Sequence, residues 1–331
     1  MSVYARCLVV AALGSLTLAS PGAPAGLQHY AISRLADGVW AALAKDGGAA
    51  MSNAGIVDLG GTTLVFDTSF TPQAGSELRR AAEQLTKHPV KFVMNSHYHS
   101  DHIRGNQVYP AATVVSTSRT RDLIDTRGRD ELKDDLAHAA GKVTAYQAAL
   151  ARAKTEEERR DAEYWLALYR GVVATLPSIR LRLPDLTFES RQVFHGRARS
   201  AELITYGGGH TPSDAFLFLP AERIAFMGDL ILIDNHPYLP DGDPDEWLKI
   251  LDRLEELPIT RIVPGHGPVG GAEAVPVVRG YITAVQRVAA DLVRSGRRPE
   301  DAVMPEAFRS WRFGNYFPDN IRFLYDREKG R

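Results

Sequence analysis

The sequence predicts a single α+β domain of packed sheets and helices, interrupted by a helical hairpin at about residues 128–176. Three observations carry this reading. Short apolar runs with strand character fill both halves of the chain, amphipathic helices flank them, and a long block with helical spacing separates the halves. At 331 residues the chain can bury a sizeable core. It shows no internal repeat, low-complexity tract or flexible linker, so residues 26–331 read as one domain rather than two separable ones.

The elements follow in order. Residues 1–25 have the plan of a secretory signal: Arg6, then the apolar run CLVVAALGSLTLA, then the small, turn-rich SPGAPAG. That run is shorter than the roughly 20 residues a membrane span needs, so cleavage is expected to leave no stable membrane insertion, and a periplasmic or secreted protein. Cys7 is the single cysteine and precedes the run, so the mature chain has neither a disulfide nor a thiolate ligand. YAISRLADGVWAALA and NAGIVDLGGTTLVFDTS then read as strands joined by DG and GG turns. PQAGSELRRAAEQLTKH is a helix opened by Pro72, with Leu78, Ala81, Ala82 and Leu85 on one face. VKFVMN and TVVSTS are strands.

In the helical block, Leu132, Leu136, Ala139, Val143, Tyr146, Leu150 and Ala153 form one expected apolar stripe. The charge run Glu156–Asp161 opens a second helix, whose face continues through Trp165, Leu168 and Val172. The hairpin reads either as packing on the exterior or as a lid over substrate. Strands resume at LTFES, RQVFHG, AELITYGGGH, DAFLFLP and RIAFMGDLIL, followed by the helix DEWLKILDRLEEL, the strand and loop ITRIVPGHG, and the helix VVRGYITAVQRVAADLVRSG.

Four loops that end apolar strands carry metal-type ligands: His97, His99, Asp101 and His102 in HYHSDH, His210 in GGGHTPSD, Asp229 in FMGDL and His266 in VPGHGP. Imidazole and carboxylate without thiolate suit zinc, iron or manganese. His97 and His99, two apart in an extended segment, face the same way and can hold one ion. Asp101 and His102 turn away towards a second. His210 would complete the first set and His266 the second, with Asp229 bridging. The glycines at 207–209 read as freeing the backbone to bend His210 inward, not as a phosphate cradle. His29, His88, His138, His195 and His236 read as structural or exposed, with His236 kept as a candidate substrate contact because it closely follows the Asp229 loop.

This ordered set resembles the metallo-β-lactamase superfamily over roughly residues 28–270. The resemblance implies an αββα sandwich with a metal centre at one edge. It implies His97, His99 and His210 for one metal, Asp101, His102 and His266 for the other, and Asp229 as the bridge. It also implies that Asp67, ending TLVFD, supports the metal loop without being a ligand. Dedicated β-lactamases of the superfamily usually carry cysteine or serine where Asp229 stands, so the resemblance points to its glyoxalase II, lactonase and general hydrolase branches.

The expected function is therefore a secreted or periplasmic binuclear zinc hydrolase. Two Zn²⁺ ions, with iron or manganese as alternatives, would supply a hydroxide that cleaves a small ester, lactone or amide-type substrate, β-lactams included. Asp101 is expected to orient that hydroxide and move a proton, with Asp229 as the second catalytic carboxylate. The alternatives are a single-iron enzyme of the persulfide dioxygenase type and a non-catalytic periplasmic metal-binding protein. A formal net charge of −1 gives no electrostatic case for nucleic acid, so the expected partner is a small molecule. The sequence leaves the oligomeric state open.

Overall fold

The computed structural model describes residues 26–330, so the expected signal segment lies outside the described residues. The first sheet begins with a meander of β1 (Tyr30–Ala36), β2 (Val39–Ala44), β3 (Ala54–Asp58) and β4 (Thr63–Phe66). Helix α1 (Pro72–Thr86) then crosses over, so that β5 (Val90–Met94), and after it β6 (Thr113–Thr117), join parallel to β4. Thr71 caps α1 through its hydroxyl, Pro72 occupies its first turn, and Lys87 in the left-handed region ends it. Between β5 and β6 lies the one-turn α2 (Ser100–Ile103).

The chain leaves the sheet after β6 through α3 (Ser118–Leu123), then runs out and back as α4 (Arg129–Arg152) and α5 (Glu156–Thr175) before β7 (Leu186–Phe188) completes the seven-stranded sheet. The second sheet is β8 (Arg191–His195), β9 (Ser200–Gly207), β10 (Asp214–Leu219) and β11 (Ile224–Phe226), all antiparallel. After α6 (Pro244–Glu255), β12 (Arg261–Val263) joins parallel to β11. The chain closes with α7 (Ala274–Arg294) and α8 (Tyr316–Lys329).

Strand alternation assigns the layers. On β4, Leu64 and Phe66 point between the sheets, while Val65 points outward to Ala74, Leu78 and Ala82 of α1. On β10, Ala215, Leu217 and Leu219 face the other sheet, while Phe216 and Phe218 face Trp247 of α6 and Tyr281 of α7. Helix, sheet, sheet, helix is thus the layering, with three apolar seams and the largest beneath α6, α7 and α8. No described helix is long and apolar enough to cross a membrane.

The hairpin keeps most of its expected apolar packing and adds an ion pair that periodicity does not reveal. Helix α5 buries Leu168 and Val172, as its stripe requires. Along α4 the expected stripe is mostly covered: Ala139 is buried with Leu168 and Val172, Tyr146 stacks on Trp165 and Tyr169, and of the seven stripe residues Leu136 alone, 57% exposed, is open to solvent. Asp135 is buried because it meets Arg104, which is itself only 1% exposed, at 2.8 Å. An ion pair therefore docks α4 beside its apolar contacts. At the start of α5, Thr155 and Glu158 form a reciprocal capping box, so the charge run does open the helix. Helix α8 answers to no element expected from the sequence.

Candidate metal centre

The ligand-type residues lie on loops that leave the same edge of the sandwich. HYHSDH follows β5, Asp67 follows β4, His210 stands between β9 and β10, Asp229 follows β11 and His266 follows β12. The first sheet contributes one half of the centre and the second sheet the other. Gly207, at φ 110°, turns the chain out of β9 towards His210. A Cβ on Gly265 would come within 1.9 Å of Asp229 Oδ1, so the loop before His266 passes that carboxylate only as glycine.

The structure brings all seven side chains together in two groups. In one, donor atoms of His97, His99, His210 and Asp229 all lie within 4.8 Å of one another. In the other, those of Asp101, His102 and His266 do the same. Asp229 lies between the groups. Its Oδ1 is 3.2 Å from His102 Nε2, and its Oδ2 is 3.5 Å from His210 Nε2 and 3.3 Å from His266 Nε2. Asp101 Oδ2 is 3.3 Å from both His102 Nε2 and His266 Nε2.

Hydrogen bonds behind the site decide which nitrogen the imidazoles of His97, His99 and His102 present. Asp67, fully buried and at φ 57°, accepts from the backbone N–H and the hydroxyl of Ser96, each at 2.8 Å, and from His102 Nδ1 at 2.7 Å. His102 therefore turns a bare Nε2 to the centre. Ser96 Oγ, having donated to Asp67, accepts from His97 Nδ1 at 2.9 Å, which leaves His97 Nε2 bare as well. His99 donates from Nε2 to Asp241 at 3.0 Å and presents Nδ1, 3.1 Å from His210 Nε2. The turn bearing His210 is held by Asp214, which accepts from Gly209 N–H, Thr211 N–H and the Thr211 hydroxyl.

A divalent cation fits this donor set. His97 Nε2, His102 Nε2, Asp101 Oδ2 and Asp229 Oδ1 are buried polar atoms with no hydrogen-bond partner. Lone pairs facing lone pairs at such distances are costly unless positive charge lies between them. Burial holds the ring of His97 well below the ordinary histidine range, and holds His210 down at about 3. Burial also opposes charge on His102 and His266, but the carboxylates of Asp101 and Asp229 outweigh it. They raise His102 well above its ordinary value and His266 to about 9. Burial pushes the Asp101 and Asp229 carboxyls up, yet those imidazoles hold both well below the usual range. The centre thus attracts positive charge, for which protons and divalent cations compete.

Above it lies a cavity of about 220 Å³. Besides ligand-type residues, its walls include Met51, Leu232, Tyr238, Phe313 and Tyr316. Glu131 of α4 also lines it, so the hairpin borders the site. Asp241, Asp214 and Glu131 had drawn no expectation: a carboxylate in a turn or on a helix looks like a solvated one until its neighbours are known. Asp241 is held down at about 2, because its hydrogen bond to His99 outweighs the upward push of burial.

The remaining histidines sit elsewhere or face away. His29 Nδ1 accepts from Ala49 N–H at 3.1 Å, His88 pairs with Asp58, His138 with Asp134 and His195 with Ser200. His236 touches the cavity wall, but Tyr281 and the Phe308 carbonyl occupy its two nitrogens. That commits it to holding the C-terminal segment.

A family model described as Metallo-beta-lactamase superfamily matches residues 47–266. A Metallo-beta-lactamase type 2 of Bacteroides fragilis is 35% identical over 91 residues, which is 24% of this chain and 36% of that protein. A Linear primary-alkylsulfatase of Pseudomonas sp. (strain ATCC 19151) is 22% identical over 263 residues, or 72% of this chain and 47% of that protein. The chain spans less than half the length of these curated relatives. Among solved structures, a Metallo-beta-lactamase from Pontibacter korlensis aligns with a TM-score of 0.57 and 19% identity over 77% of this chain and 99% of that one, a likeness of fold.

Proposed function

Because the chain belongs to the metallo-beta-lactamase superfamily, we propose that it is a metal-dependent hydrolase with a two-zinc centre that cleaves a small ester, lactone or amide-type substrate. The observation that carries this reading is the pair of His/Asp groups presenting bare donors to the floor of a cavity. His97, His99 and His210 would hold one ion, and Asp101, His102 and His266 the other, with Asp229 shared between them. Two divalent ions bound there supply Lewis acidity and a water acidified towards a pKa of about 7.

The chain's own groups do the rest. Ser96, Asp67 and Asp241 fix the ring orientations, so no reorganisation is needed when charge develops. Asp101 Oδ2 faces the cavity floor, where it can orient an attacking water and take its proton. The aromatic wall excludes bulk water and gives an apolar substrate a surface to lie on.

Glu131 and Asp241 are the charged groups lining the cavity besides the ligand carboxylates. Apart from the ions themselves, that lining offers, among the described residues, no lysine or arginine to anchor a substrate carboxylate, which favours a neutral ester or lactone over a carboxylate-bearing β-lactam. Single-iron persulfide oxidation could use the same donor groups, so metal content separates it from hydrolysis at a pair of ions. The segment at residues 1–25 supports export, so the substrate would be met in the periplasm or outside the cell. It is a small molecule, with neither nucleic acid nor membrane as partner.

The test is metal stoichiometry on residues 26–331 together with a chromogenic panel of esters, lactones and β-lactams. Two zinc ions per chain and turnover of neutral esters or lactones are expected. One bound iron, or two ions without turnover on any member, would overturn the proposal.

A further inference from the structure

The cleft does not end at the metal cavity. A second lobe of about 370 Å³ adjoins it, reaching past His266 towards Tyr164, Ile233 and Arg312. Met51, His266 and Phe313 line both lobes and so stand between them. Two of the three have unusual backbones. Met51 lies at φ 68° and Phe313 at φ 60°, the left-handed region that bulky L residues rarely adopt.

Phe313 is held in that conformation from several sides. Its neighbour Arg312 donates its N–H to Asp234 O at 2.9 Å and accepts from His236 N–H at 2.8 Å. The Phe313 ring, 5% exposed, packs on His266 at 6.0 Å, Tyr164 at 5.4 Å, Trp165 at 5.5 Å and Tyr316 at 5.7 Å between centroids. Such a residue is fixed in place as a wall and is not a loose cover. Phe313 also lies beyond residues 47–266, so the wall is built by this chain's own C-terminal segment.

We propose that Phe313, together with Met51 in the lining shared by both lobes, is a size-determining partition that confines substrate to the metal cavity. The occupant is the acyl part of a short, uncharged ester or a small lactone. The cavity alone is smaller than the ~300–1,000 Å³ typical of sites for drug-sized ligands, whereas the two lobes joined would fall within that range. With the ring in place, a long acyl chain meets a rigid wall; without it, the chain runs into the second lobe. The inference rests on the hydrolase reading only for its kinetic arm.

The test compares the zinc-loaded protein with its Phe313→Gly and Met51→Gly variants. Glycine suits both left-handed backbones, so either change removes the side chain without adding strain, and opening the partition at two separate residues guards against one variant failing to fold. Kinetically, p-nitrophenyl acetate and octanoate are compared. Wild type is expected to favour acetate, and each variant to raise the octanoate-to-acetate ratio of kcat/KM by about tenfold or more, since a buried methylene is worth a factor of about four. By calorimetry, the uncharged octanamide is expected to bind the variants more tightly than wild type, with acetamide little changed. The calorimetric arm stands even if no ester is turned over, in which case the hydrolase reading fails and not this one. An unchanged chain-length ratio in active, folded variants, or octanamide binding that is equal or absent in all three proteins, would overturn the partition.

Discussion

Asp67 orients two imidazoles at once while touching neither of their centre-facing nitrogens. Its carboxylate receives His102 Nδ1–H directly and His97 Nδ1–H through the Ser96 hydroxyl. Asp67→Asn places an amide donor where one of those protons points, so one ring must turn or change tautomer. Ion affinity is expected to fall about 10–100-fold, the usual cost of losing such a supporting group. Competition with a chromogenic chelator measures this, and an unchanged affinity would reduce Asp67 to a purely structural part.

The same residues show what could be read without a structure. The seven ligand-type side chains stand out because imidazoles and carboxylates at strand ends, spaced for convergence, are unusual in themselves. Asp241 does not, because its partner His99 lies 142 residues earlier and nothing local marks the pairing. Asp214 lies four residues beyond His210, and its grip on the His210 loop appears only once the backbone is folded.

At the scale of elements, the hairpin is tied to the ligand loop by charge. Arg104 follows HYHSDH by two residues, lies over the Phe70 ring at 4.7 Å and pairs with Asp135 of α4. Asp135→Asn leaves the buried guanidinium without its counter-ion. Breaking a buried pair in this way costs about 3–5 kcal/mol, so a large drop in thermal and urea midpoints is expected. Midpoints within a degree or two of wild type would mean that Lys142, which also reaches Asp135 at 3.2 Å, had drawn that carboxylate away from Arg104.

Helical periodicity revealed both hairpin helices and their length. It did not show the ion pair that docks α4, because periodicity locates apolar residues but cannot say that a neighbouring arginine will bury an aspartate beside them. Helix α8 escaped notice for a related reason: WRFGNYFPDNIRFLYD carries Gly314 and Pro318, which read as breakers although Pro318 falls in a first turn where proline is tolerated.

For the whole molecule, ion binding and proton release are linked. The carboxylates of Asp101 and Asp229 raise His102 well above its ordinary value and His266 to about 9 in the metal-free protein, so protons compete with ions for these two imidazoles. The sign follows from those raised values: affinity is weakest in acid and strengthens as pH rises through them. Calorimetry in buffers of different ionisation enthalpy should register proton release near pH 7, and a flat affinity from about pH 6 to 9 would contradict it. Chelation should lower the melting temperature by mass action, since ions at a hundred times Kd add about 2.7 kcal/mol.

The split of the donors between the two sheets has a consequence for how the chain can be divided. A cut at residues 153–155, the exposed turn between α4 and α5, leaves His97, His99, Asp101 and His102 on one fragment and His210, Asp229 and His266 on the other. Neither piece owns a complete coordination sphere, while β7 on the second must still zip onto β6 on the first. Divalent ions would then act as a clasp between two polypeptides, and reconstitution of the nicked protein becomes a metal titration.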